Sequence, residues 1–199
     1  MRICRLAHRA WFPRVRVSPT LTVGRDSLNL PAMLREPTHV FTMPAPGPDL
    51  FAQSDAFIES VFGVMNAQDR HEFQVCTRHI ERVARIAGKV SWGPNIWLGT
   101  LIEDLEVGDE MAMLRATPAK VRFAHVKTDR SLPTFDVRGL QFVIVENAVE
   151  PQGFHRLEAD CTQAGTRLFL GPRVADAELR TPAPNATVLP VGSIHRRGR

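Results

Sequence analysis

Residues 95–104 read NIWLGTLIED: an apolar run rich in β-branched and aromatic residues that stops abruptly at two carboxylates, Glu103 and Asp104. A buried strand with polar groups at its downstream end is the grammar of one rung of a β/α barrel. The strand itself is expected over residues 96–100, and five further runs repeat the pattern at residues 39–43, 72–76, 121–126, 140–145 and 167–170.

Between these runs lie segments with helical spacing. Residues 55–67 place Phe57, Ile58, Val61, Phe62 and Met65 on one face, and residues 78–87 do the same with Ile80, Val83, Ala84 and Ile86. A helix over 106–116 carries Met111, Met113 and Leu114, and Pro118 is placed to stop it; Gly165 ends another over about 154–164. Strand and helix alternating in this way predict an α/β protein with a parallel sheet and right-handed crossovers. Near-continuous apolar strands such as LQFVIV suit strands covered on both faces. Six strands fall short of the eight in a closed barrel, so the expected architecture is a partial (β/α) barrel of about six parallel strands, TIM-like in plan, with an open doubly wound sheet as the alternative.

The chain has 199 residues, 44% of them hydrophobic, enough for a single domain with a sizeable core. That domain is expected over residues 21–173, between a poorly ordered basic segment at 1–20 and a Pro/Ala/Arg-rich tail at 174–199. Three widely spaced cysteines, Cys4, Cys76 and Cys161, argue against a disulfide framework and for a reducing, cytoplasmic setting. Residues 1–16 hold five arginines and no acid, without the apolar run of a leader or a membrane span.

The net charge of +4 is uneven: six arginines and no acid occupy residues 1–25, and three more arginines occupy 190–199. Basic tails attract phosphates, which makes nucleic acid a weakly supported partner, but these tails lack interleaved aromatics for stacking. An exposed sheet edge would favour a homodimer.

The segments HEFQVCTRHIERV, PNIWLGTLIEDLEVGDEMAMLRATPAKVRF and LQFVIVENAVE resemble, in order and spacing, a phage and bacterial family of unknown function whose members look like radical-SAM-related barrels. LTVGRDSLNLPAMLREPTHVF, DLFAQSDAFIESVFGVM and CTQAGTRLFLGPR extend the resemblance, which runs from about Leu21 to Arg173. It implies a CxxxCxxC loop holding an iron–sulfur cluster with one iron open for S-adenosylmethionine, and that three-cysteine motif is absent here. The strand ends depart from the family pattern as well. An acid gives way to Lys127 after the VRF strand, a glycine-rich turn gives way to Glu146, Asn147, Ala148, Val149 and Glu150, and a KRP turn becomes Arg78, His79 and Ile80.

Three functions follow as expectations. The first is a non-catalytic, degenerate member that keeps the scaffold, binds a small ligand or partner and needs no cofactor. The second is a barrel enzyme with Lys127 as nucleophile and His125, Glu103 or Glu146 as proton carriers, since residues two apart on a strand share a face. The third is a radical enzyme shortened at its start, which would use an iron–sulfur cluster and S-adenosylmethionine and act on nucleic acid. The candidate site residues are catalytic His125, Lys127 and Glu103 with ligand-binding Thr77, Arg78, Asp104, Glu146 and Asn147, all near strand ends. Glu103 and Asp104 have a second reading as caps for the next helix. His71, Cys76 and His79 are read as too few and too separated for zinc, Trp97 as core, and Gln74 and Asn95 as internal hydrogen-bonding groups.

Overall fold

The computed structural model describes residues 3–5, 28, 30–33, 35, 37, 39–42, 49–103, 107–128, 131–146, 151–170 and 186–187. Its elements in chain order are β1 (Ile3–Arg5), α1 (Leu30–Met33), β2 (His39–Thr42), α2 (Asp55–Ala67), β3 (Glu72–Thr77), α3 (Ile80–Ile86), β4 (Ile96–Ile102), α4 (Glu110–Ala116), β5 (Val121–Val126), β6 (Phe142–Val145), α5 (Pro151–Ala164), β7 (Arg167–Leu170) and β8 (Ala186–Thr187), with a 3₁₀ turn at Leu50–Ala52 before α2.

All recorded strand pairs are parallel, and the order across the sheet is β2-β3-β4-β5-β6-β7-β1-β8. From β2 to β7 each strand lies beside its successor in the chain. With right-handed crossovers throughout, such an order sends every helix to the same side of the sheet. The packing agrees: Ile58, Val61, Phe62 and Met65 of α2, Ile80, Val83 and Ile86 of α3, Met111 and Leu114 of α4, and Phe154, Leu157 and Cys161 of α5 share one core with Val75, Leu98, Ile102, Ala124, Val126, Val143 and Leu168 of the strands. The doubly wound alternative therefore does not hold across β2 to β7. Among the described residues the sheet is open, because no pairing joins β2 to β8.

The other face carries a second, smaller core built, among the described residues, from strand residues alone: Cys76, Leu101, Phe123, Phe142 and Phe169, flanked by Trp97, Val121 and Ile144. Phe123 and Phe142 stack with centroids 4.8 Å apart, and Trp97 and Phe169 meet Phe142 edge-on. Gly99 makes this layer possible: a Cβ there would lie 2.2 Å from the Phe123 ring.

Local sequence explains the ends of the elements. Ser54 caps α2 by accepting from the Phe57 amide, and Gly165 takes φ 71° to release the chain from α5. α4 starts at Glu110 rather than at 106, because Gly108, a poor helix former, immediately precedes its Asp109 cap. The short strands β1 and β8 lie within residues 1–20 and 174–199, and with them the sheet counts eight strands among the described residues where about six were expected. Strands of three and two residues are too short to show the alternation by which the others were recognised.

Candidate functional site

The sheet register sets out the candidate site. Leu101, His125, Ile144 and Phe169 form one row across β4 to β7. Their row lies on the helix-free face, one step downstream of the row of Gly99, Phe123 and Phe142. Side chains two positions on leave from the same face, which brings Arg78, Glu103, Lys127 and Glu146 to the C-terminal edge above the aromatic layer. The ladder continues this far: the Lys127 amide donates to the Ile102 carbonyl and the Glu146 amide to the Val126 carbonyl.

These side chains meet. Arg78 donates to both oxygens of Glu103, at 2.7 and 3.0 Å. That pairing holds the Glu103 carboxyl below its ordinary range, assisted by the fields of Lys127 and His125. His125 Nε2 is 3.4 Å and Lys127 Nζ 4.0 Å from the same Glu146 oxygen. Side chains of Arg78, Glu103, Lys127 and Glu146 are each about a third exposed, whereas His125 beneath them is 3% exposed. Among the described residues neither ring nitrogen of His125 has a hydrogen-bond partner, because the 3.4 Å approach to Glu146 has the distance but not the direction of a bond.

Of the eight residues expected at the site, Arg78, Glu103, His125, Lys127 and Glu146 converge. Thr77 belongs to the same strand end but serves another purpose: its hydroxyl sits 2.8 and 2.9 Å from the two oxygens of Asp49. Asp104 and Asn147 lie outside the described residues. The capping role for Glu103 is not found, since the helix that follows begins at Glu110 and Glu103 is paired with Arg78 instead.

Asp49 is the residue that sequence reasoning missed. It is buried, and its carboxylate accepts from the Phe51 amide at 2.9 Å and the Arg78 amide at 2.8 Å as well as from Thr77. It thereby ties the 3₁₀ turn to the end of β3 and fixes the backbone from which Arg78 reaches Glu103. Its only signal in the sequence is an aspartate directly before LFA, the N-cap position of a short turn.

The residues set aside in the sequence reading mostly keep structural roles. His71 Nε2 lies 2.9 Å from the Pro31 carbonyl, and Asn95 donates to the carbonyls of Met65 and His71. Gln74 differs from expectation, because its buried Oε1 has no partner among the described residues. A cavity of about 270 Å³ between Ser131–Thr134 and the first turns of α5, where Gln152, Gly153 and Arg156 line it, contains none of the converging side chains.

The iron–sulfur cluster implied by the resemblance needs three thiolates around one cubane. Cys76 belongs to the helix-free core and Cys161 to the helix-covered one, on opposite faces of the sheet. Burial pushes the Cys161 thiol up to about 12 and raises that of Cys76 as well, the reverse of what a thiolate ligand requires. These two cysteines do not fit the cluster. Among the described residues no group of three or more His, Cys, Asp or Glu is placed to hold a metal ion, and no helix is long and apolar enough to cross a membrane.

No curated protein and no solved structure matches the chain. A family pattern does, from Cys4 in β1 to Leu170 at the end of β7, and so spans β2 to β7 together with the charged edge described above: the chain belongs to the family described as "Protein of unknown function (DUF5131)", matched over residues 4–170.

Proposed function

We propose that this protein is a divergent, non-catalytic partial (β/α) barrel of the radical-SAM-like phage and bacterial type, which holds a small ligand at the C-terminal edge of its sheet. The observation that carries the reading is the convergence of Arg78, Glu103, His125, Lys127 and Glu146 from four adjacent strands onto that edge. Helices confined to one face give the sheet the plan of a barrel wall, and the downstream ends of barrel strands are where such folds keep their sites. The separation of Cys76 and Cys161 on opposite faces supports loss of cluster chemistry. Iron and acid-labile sulfide analysis after anaerobic purification and reconstitution tests it. The expected result is no stoichiometric cluster; bound iron and sulfide together with cleavage of S-adenosylmethionine overturn it.

A second reading draws on the placement of Lys127 beside Glu146 and one step above buried His125. In that reading Lys127 attacks a carbonyl to form an imine and release water, with His125 or Glu146 carrying the proton. Borohydride reduction in the presence of a panel of aldehydes and ketones, followed by mass spectrometry, should then leave a stable adduct on Lys127. An unmodified Lys127 across the panel removes this reading.

A further inference from the structure

We infer that the cavity of about 270 Å³ between Ser131–Thr134 and the first turns of α5 is a binding site for a small phosphate monoester. The inference goes beyond the ligand-binding reading above and does not depend on it, because none of the converging charged side chains lines this cavity.

The walls of the cavity are fixed by the core. Leu132 is buried among the same residues as Phe154 and Leu157 of α5, which anchors the loop against the helix. Gly153 lets the two approach: a Cβ there would lie 3.2 Å from the Leu132 Cβ and 3.5 Å from its backbone nitrogen. Gln152 and Arg156, four residues apart on α5, share the flank of the helix beside this contact. Arg156 Nη2 donates to the Leu132 carbonyl at 3.1 Å and so bridges the two walls.

The lining sets the ligand's sign and shape. Arg156 is its one charged side chain among the described residues, and no carboxylate of those residues pairs with it, so most of its guanidinium donors are uncommitted. The Ser131 and Thr134 hydroxyls and the Gln152 amide supply further donors, the hydroxyls from the loop and the amide from the helix. A cation meets no counter-charge here, whereas an anion meets a guanidinium fork. Donors on two walls suit three tetrahedral oxygens better than the two coplanar ones of a carboxylate. The volume falls just below the range of about 300–1,000 Å³ usual for drug-sized ligands, which limits the ester to a small one.

Isothermal titration calorimetry of the full chain with glycerol phosphate, inorganic phosphate and acetate, at constant ionic strength in chloride buffer, tests this. Saturable binding of glycerol phosphate is expected, with inorganic phosphate weaker and acetate weaker by about tenfold or more. Arg156→Gln should weaken glycerol phosphate by about tenfold or more, and Ser131→Ala by a smaller factor. Arg138→Gln, which removes an exposed cation outside the cavity, should leave the affinity unchanged. Arg156 also holds the Leu132 carbonyl, so if circular dichroism shows Arg156→Gln to be unfolded, Ser131→Ala, which leaves that bond intact, decides the matter. Absence of saturable binding, acetate binding as tightly as the phosphates, or unchanged affinity in the deciding variant overturns the inference. A loss in Arg138→Gln as large as in Arg156→Gln also overturns it, since the attraction would then be to net charge alone.

Discussion

The two faces of the sheet are built to different rules. The helix-covered face is aliphatic and large, with strand residues Val75, Leu98, Ala124, Val126, Val143 and Leu168 all completely or almost completely buried against α2 to α5. The helix-free face is small and aromatic, and it buries Gln74 and His125 with polar atoms left without partners. A buried polar atom without a partner costs roughly 1–3 kcal/mol. The helix-covered side reads as the part that secures the fold, and the aromatic side as the part that gives up stability to keep polar groups in place.

Substitution at matched depth tests that contrast most directly. Phe123→Ala removes the ring at the centre of the aromatic layer and should cost about 3–5 kcal/mol by urea unfolding, comparable to Leu98→Ala on the helix-covered face at about 2–5 kcal/mol. A cost near zero for Phe123→Ala would mean that the aromatic side is not a core at all. Asp49→Ala comes next. It removes the acceptor to which the Thr77 hydroxyl and the amides of Phe51 and Arg78 donate at the join between the 3₁₀ turn and β3, for a loss of about 2–3 kcal/mol by the same measurement.

His125→Leu should move stability the other way. An apolar side chain of similar reach removes two unpartnered nitrogens from a buried position, and a gain of about 1 kcal/mol is expected, seen as a higher urea midpoint with an unchanged slope. A loss instead would show that the imidazole is satisfied in solution and that the contrast between the faces is weaker than drawn.

Acid titration gives the smallest effect and serves as a control outside both cores. Arg138 donates to Asp136 and holds its carboxyl down from 3.8 to about 2. A depressed carboxyl contributes stability that is present above its unfolded value and lost as pH falls through its folded one. The difference in stability between the wild type and Asp136→Asn should therefore shrink between about pH 4 and pH 2, by a small amount because the pair faces solvent. Glu103, depressed by Arg78, changes in the same direction.

Much of the fold was legible because its strands and helices are long enough to display their periods. Strands at 121–126 and 167–170 and the helix at 55–67 fall where the pattern of apolar residues places them, and β4 extends two residues beyond expectation because Leu101 and Ile102 continue the apolar run. Polarity at strand ends was enough to pick out Arg78, Glu103, His125, Lys127 and Glu146, since a parallel sheet in register gathers equivalent positions along one edge. Other features depend on distance rather than pattern. Asp49 is 28 residues from Thr77 in the chain, and nothing local announces that pairing. Whether His125 finds a partner depends on the direction of Glu146, which no spacing encodes. The short terminal strands acquire their state from the neighbours they lie against.

The sequential order of β2 to β7 bears on how the protein is made. A nascent chain leaving the ribosome at roughly 5–20 residues per second can add each βα unit to a template that has already emerged. Growth in one direction keeps a single fresh edge bare at any moment, and the next segment to be synthesised is the one that covers it. A translational pause after β5 has emerged from the ribosome and before β6 follows it would prolong exposure of the β5 edge and open it to capture by another chain.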